Sequence, residues 1–123
     1  MFEIGIKTHF SAAHHLVGYA GQCSSQHGHN WEVEVFVKGQ DLSKTGILMD
    51  FRKLKEVVKN ELQEIDHSDL NKRKVFKRQN PTSENIARFL YKELGQQFES
   101  DTYKISRVTV RETPESMATY WEE

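Results

Sequence analysis

The sequence predicts an α+β fold: one antiparallel sheet with two helices on one face, in the order β-β-α-α-β-β. Three observations predict it. Two long stretches near the start alternate apolar and polar residues with a period of two, two central stretches repeat their apolar residues at helical spacing, and two short alternating stretches close the chain. Strands in sequential pairs flanking a helical pair belong in an antiparallel sheet covered by helices on one side. There is no repeat, linker or composition break, so residues 1–123 read as one domain.

The first strand spans residues 2–14. Phe2, Ile4, Ile6, Thr8, Phe10, Ala12 and His14 share one face, and Glu3, Lys7, His9, Ser11 and His15 lie opposite. Residues 15–26 hold two glycines and two serines and show no period, so they read as a loop. Alternation resumes over 27–38, with His27, His29, Trp31, Val33, Val35 and Val37 on one face; only Phe36 breaks the pattern. "KGQDLSKTG" is a turn region. Asp50 is an N-cap for a helix carrying Phe51, Leu54, Val58, Leu62 and Ile65 toward the core. Residues 66–81 read as polar loop. Pro81 and Thr82 start a second helix, with Ile86, Phe89, Leu90 and Leu94 facing inward and Gly95 placed to stop it. Residues 103–113 form a third strand, with Val108, Val110 and Glu112 on one side, and "MATYW" a last short one.

Composition excludes some functions. Lys and Arg number 17 against 18 Asp and Glu, for a net charge of −1. That balance argues against a dedicated nucleic-acid or membrane-surface binder. No apolar run is long enough to span a bilayer, and the alternating, charged start is not a signal peptide. One cysteine cannot form an intrachain disulfide, and a free thiol fits the cytoplasm.

Five of the six histidines, and the only cysteine, fall between residues 9 and 31. His27 and His29 are two apart on a strand and share a face. His14 ends the matching face of the first strand. If the two strands pair as a hairpin, three imidazoles converge at its loop end. Three neutral imidazoles leave a tetrahedral zinc one open position, the arrangement of a catalytic site. His9 and His15 point the other way and read as polar surface. Cys23 stands four residues before His27, where it serves as a fourth ligand closing the site, as a nucleophile or base beside the metal, or as an inert small residue. Asp66 precedes His67, and a carboxylate beside an imidazole can orient it; on spacing alone, a histidine favourably placed near a helix C-terminus is the stronger reading. Glu112, on an apolar face, needs an internal cation or a ligand with N–H donors. "KRKVFKR" at 72–78 is read as a solvated loop, with an anionic substrate as the alternative.

"FSAAHH", "CSSQHGHNW", "TGILMDFRKLK", "IDHSDLN", "NPTSENIA" and "VRETP" stand in the order and spacing of the pyruvoyl-tetrahydropterin synthase family, which the chain resembles over residues 4–121. The resemblance implies the tunnelling fold. It implies His14, His27 and His29 as zinc ligands, Cys23 as catalytic base, Asp66 and His67 as relay partners, and Glu112 as the pterin anchor, sometimes counted with the relay. The "CxxxHGH" spacing is similar to the bacterial 6-carboxytetrahydropterin synthase branch, which acts on 7,8-dihydroneopterin triphosphate in queuosine and 7-deazapurine synthesis. Animal-type pyruvoyl synthases place the cysteine further ahead, and an aldolase-like branch replaces it with Glu. His15 departs from the Arg or Gln common in relatives, and the strand faces favour His14 over it as ligand. The resemblance further implies a homohexamer, two stacked rings of three subunits, each ring closing a twelve-stranded barrel with sites between subunits. Readings that remain beside it are a pyruvoyl synthase and, in another class, a non-catalytic zinc module closed by Cys23.

Overall fold

The structure is a computed structural model that describes residues 1–18 and 25–123. Its elements are β1 (Phe2–His14), β2 (His27–Gly39), α1 (Phe51–Leu62), β3 (Ser68–Asp69), α2 (Ser83–Gly95), β4 (Lys104–Thr113) and β5 (Ser116–Tyr120). The sheet order is β3-β1-β2-β4-β5. β1–β2, β2–β4 and β4–β5 are antiparallel. The expected tunnelling architecture is present with one addition: two-residue β3 pairs parallel with β1, Ala12 opposite Ser68 and Ala13 opposite Asp69, so the sheet is mixed and five-stranded.

One face of the sheet forms the core. Phe10, Trp31, Val33, Val35, Val37, Val108 and Val110 are buried, as the alternation requires. α1 packs against β1, and α2 against β4 and β5. α1 buries Leu54, Val58 and Leu62. Its N-cap Asp50 accepts a hydrogen bond from the Arg52 amide, a contact whose loss costs helices about 1 kcal/mol. α2 buries Ile86, Ala87, Leu90 and Leu94 behind its Thr82 cap.

The structure revises four details. Phe51 is more than half exposed because it occupies the first turn of α1, at the rim formed with Leu42 and Ile47. Gly95 does not stop α2; it is the last helical residue and Gln96 is the C-cap. A Cβ at Gly95 would stand 3.3 Å from Ile105 Cγ2, so this glycine serves the close approach of β4. The polar stretch 66–81 holds β3 and two 3-10 turns that bury Leu70 and Phe76. Phe36, the break in the β2 pattern, lies on the outer face under the Arg107 guanidinium, 3.7 Å from its ring centroid. Gly5 pairs opposite it, and any Cβ there would meet the Phe36 ring at 2.5 Å.

Candidate metal centre and its surroundings

The β1–β2 register sets His14 directly opposite His27 and Ala12 opposite His29. The three imidazoles therefore meet at the loop end of the hairpin, on the core face, as their spacing predicts. Trp31 forms the floor: its ring stands edge-on to His14 at 4.8 Å and to His29 at 5.7 Å, and its Nε1 donates to the Ala12 carbonyl. Here β4 ends as well, bringing Glu112 to the cluster. One ligating atom from each of His14, His27, His29 and Glu112 lies within 4.8 Å of the others, an arrangement that can hold a metal ion.

Tautomers decide what this cluster wants. His14 Nδ1 lies 2.8 Å from the Pro81 carbonyl, and His27 Nδ1 lies 2.7 Å from the Ser25 carbonyl. A carbonyl only accepts, so each Nδ1 carries a proton, and the Nε2 atoms that face each other are the positions left to ligate. Those two nitrogens are 3.0 Å apart. Glu112 Oε1 adds a fourth acceptor, at 3.0 Å from His14 Nε2, 3.5 Å from His27 Nε2 and 2.9 Å from His29 Nε2. Acceptors crowded onto one point repel unless a cation lies among them; a proton relieves one contact, a divalent ion all. Burial holds the His29 imidazole below its ordinary pKa, outweighing the opposite pull of Glu112, and keeps the ring in the neutral form that ligates. The donor set fits a borderline divalent ion.

Two asparagines and a proline carbonyl hold this end of β1, and sequence reading assigned them no such part. Asn71 accepts from the His15 amide and donates to the His15 carbonyl. Asn80 does the same for Val17. Each side-chain amide imitates a strand partner, so the chain beyond His14 stays pinned although β1 has ended. Asn85 fixes Asn80 through its carbonyl, and the adjacent Pro81 orients His14. The only trace in the sequence is that "IDHSDLN" and "NPTSENIA" carry more polar residues than a helix end and a helix start need.

The remaining predicted residues are placed as follows. His9 is exposed. His15 is half-buried rather than surface, with Nδ1 buried and without a partner among the described residues, and it stands apart from the metal-binding group. Asp66 and His67 clip onto β1: Asp66 Oδ1 accepts from the Ser11 amide, and the His67 amide donates to the Ser11 carbonyl. The Ser11 amide is the main reason the Asp66 carboxyl sits below its usual range. His67 adopts φ +56°, a left-handed conformation uncommon outside glycine, and its Nδ1 is 3.0 Å from Asp66 Oδ1. Its side chain is 82 % exposed and is not among the four metal-facing groups, yet it lines with His29, Asn30 and Ser68 a shallow cleft of about 440 Å³. Within 72–78, Lys72, Lys74, Lys77 and Arg78 are exposed. Cys23 lies outside the described residues.

A five-stranded α+β sheet carrying a His₃–carboxylate cluster at the mouth of its first hairpin defines the class: a tunnelling-fold protein with a candidate metal centre. The chain belongs to the 6-pyruvoyl tetrahydropterin synthase family, whose sequence pattern it matches over residues 3–123. It is 34 % identical over 126 residues to the 6-carboxy-5,6,7,8-tetrahydropterin synthase of Bacillus subtilis, covering 97 % of this chain and 84 % of the relative. It is 40 % identical over 86 residues to the dihydroneopterin monophosphate aldolase of Pyrococcus furiosus, covering 70 % of this chain and 69 % of the relative. The solved structure of Caenorhabditis elegans 6-pyruvoyl tetrahydropterin synthase superposes with a TM-score of 0.87 at 29 % identity, covering 99 % of this chain and 96 % of that one. No helix among the described residues is long and apolar enough to cross a membrane.

Proposed function

We propose that the chain, acting as one domain over residues 1–123, is a zinc-dependent lyase. It would convert 7,8-dihydroneopterin triphosphate and water to 6-carboxytetrahydropterin, acetaldehyde and triphosphate, the reaction that feeds queuosine and 7-deazapurine synthesis. The observation that carries this reading is the meeting of three imidazole Nε2 atoms at one point, two of them with their Nδ1 protons committed to carbonyls. Zinc held by His14, His27 and His29 would supply the positive charge that acidifies C–H and O–H bonds beside the substrate's side-chain oxygens.

The protein's own residues do the rest. Cys23, four residues before His27, is the base that takes and returns protons. His67, oriented by Asp66, is its relay partner. Glu112 presents two carboxylate oxygens to the N–H edge of the pterin ring. A lone thiol fits the reducing cytoplasm.

The assembly is proposed to be a homo-oligomer in multiples of three, a hexamer built as a dimer of trimers. β5 and residues 2–10 of β1 are sheet edges with unpaired backbone groups, and Phe2, Met117 and Trp121 stand exposed along the same outer strands and their flank. The exposed Asp66–His67 pair then serves a neighbour's site. Mixing inactive Cys23→Ala and His67→Ala subunits restores partial activity under this arrangement. An active monomer in light scattering, or no complementation after proven exchange, counts against it.

Incubation with 7,8-dihydroneopterin triphosphate and mass analysis of the products tests the reaction. Acetaldehyde with the 6-carboxy product supports it. A 6-pyruvoyl product without acetaldehyde assigns the activity of the nematode neighbour instead. Retro-aldol cleavage assigns that of the Pyrococcus relative, whose branch is expected to carry Glu where this chain has Cys23. X-ray absorption decides the non-catalytic alternative, since a sulfur ligand on zinc would mean that Cys23 closes the site.

A further inference from the structure

His14 depends on the protein for its second hydrogen bond more than the other two imidazoles do. Its side chain is 3 % exposed, against 30 % for His27 and 25 % for His29. Water can reach those two rings. The buried Nδ1 of His14 has the Pro81 carbonyl, 2.8 Å away. A ligating imidazole keeps its tautomer and its aim through the bond that its other nitrogen makes. Whatever fixes the Pro81 carbonyl therefore fixes His14.

Pro81 is buried and stands at the centre of a tight turn. The Thr82 amide donates to the Asn80 carbonyl at 2.9 Å, the closure of a γ-turn, and the proline ring holds φ at about −65°, which suits it. The same Asn80 carbonyl accepts a second hydrogen bond, 2.8 Å long, from Asn85 Nδ2. Asn85 is the third residue of α2, where a capping box would place Glu or Gln to accept from the N-cap amide. Here the Thr82 amide is already engaged by Asn80, so position 85 has to donate instead, and asparagine can. Arg88 sets the direction of that side chain: its Nη2 donates to Asn85 Oδ1 at 2.6 Å, which leaves Nδ2 for the carbonyl. The main-chain amide of Asn85 donates separately to Thr82 Oγ1 and serves the helix cap.

We infer that Asn85 is a positioning residue of the metal centre. Through the Asn80 carbonyl it holds the turn at Pro81, and the carbonyl of that turn aims His14 at the ion. Arg88 keeps the Asn85 amide in its working orientation. The inference rests on the reading of His14, His27 and His29 as metal ligands. Under it, metal affinity depends on a side chain that is not one of the four metal-facing groups.

The test substitutes position 85 in the full-length protein and measures Zn²⁺ affinity by chelator competition beside the melting temperature of the metal-free protein. Asn85→Asp keeps the size and the backbone cap but turns an acceptor toward the Asn80 carbonyl. An acid in the first turn of a helix is favourable, and added negative charge attracts a cation. A role confined to the helix thus leaves melting unharmed and Zn²⁺ binding unchanged or tighter. The positioning role weakens binding about 10-fold, the lower end of the 10–100-fold cost of losing such a partner, with the metal-free protein still folded. Asn85→Ala removes the donor without adding charge; it is expected to weaken binding to a similar degree and decides the matter if the Asp variant does not fold. Affinity unchanged or tighter in the folded variants overturns the inference, as does a loss seen only where the metal-free protein is unfolded at the assay temperature. His14→Ala separates the two levels. If it binds Zn²⁺ as tightly as wild type, the metal reading fails and the inference with it. If it loses Zn²⁺ while both variants at position 85 keep it, the positioning alone is wrong.

Discussion

β2 is one strand with two different halves. From Val33 to Val37 its inward residues are three valines with no exposed surface, packed under the helices. From His27 to Trp31 the same face carries two half-buried imidazoles above an indole. The period, backbone and hydrogen-bonded partner β1 are common to both. What differs is what covers the face. The helices lie over the valine half, while the histidine half emerges at the sheet's end, where Glu112 and Pro81 meet it. Alternation fixes which way a side chain points. Residue type and cover decide whether the face becomes core or site, and the two halves should fail differently when altered.

The largest effect belongs to the histidine half. His27→Ala is expected to weaken metal binding strongly and to remove turnover, measured by metal content and product formation, because it deletes one of the three imidazoles that meet at the site. His15→Ala and His9→Ala are expected to keep both. Loss of metal in His15→Ala with retention in His14→Ala would show that the faces are misread by one residue.

Cys23→Ala tests whether the loop between the strands belongs to the chemistry or to the ligand set. Turnover should fall roughly 10²–10⁴-fold, the usual worth of a positioned acid–base group, with metal content unchanged. If metal leaves with the thiol, Cys23 is a ligand.

In the valine half, Val35→Ala is expected to lower stability by about 2 kcal/mol, from roughly 0.8 kcal/mol per buried CH₂ plus the cavity left behind. Chemical denaturation measures this, and metal affinity should not change. A core substitution that also weakened metal binding would couple the halves that the structure separates.

The smallest effect lies away from both. Burial, then repulsion from Glu93 and Glu64, raises the Glu61 carboxyl above its usual pKa of 4.5. A carboxyl raised in the folded state opposes folding once ionised, above the folded pKa, and the penalty vanishes below the unfolded one. Glu61→Gln is therefore expected to stabilise slightly at pH 7, by no more than about 0.5 kcal/mol, and the gain should disappear toward pH 4. Melting temperatures at the two pH values check it; a gain that persists in acid would mean that charge is not the cause.

Much of this was legible beforehand for a local reason. Period-two patterning placed His14, His27 and His29 on one face, and antiparallel pairing of two strands adjacent in the chain brings them together. α1 and α2 announced themselves through spacing and caps. β3 has no sequence signature because two residues carry no period, and the break at Phe36 has its reason in the Arg107 guanidinium that lies over its ring on the outer face.

The sequence by itself determined the strand faces, the helices and the imidazole trio, because each depends on residues close in the chain or joined by one turn. Tertiary structure alone decided that Glu112 would meet His14 across 98 positions, that Pro81 would orient it across 67, and that Asp66 would clip onto Ser11 across 55. Those meetings depend on the order of strands and the path of 66–81, which no local pattern encodes. Only folding could show that the Glu112 carboxylate would stand among the histidines.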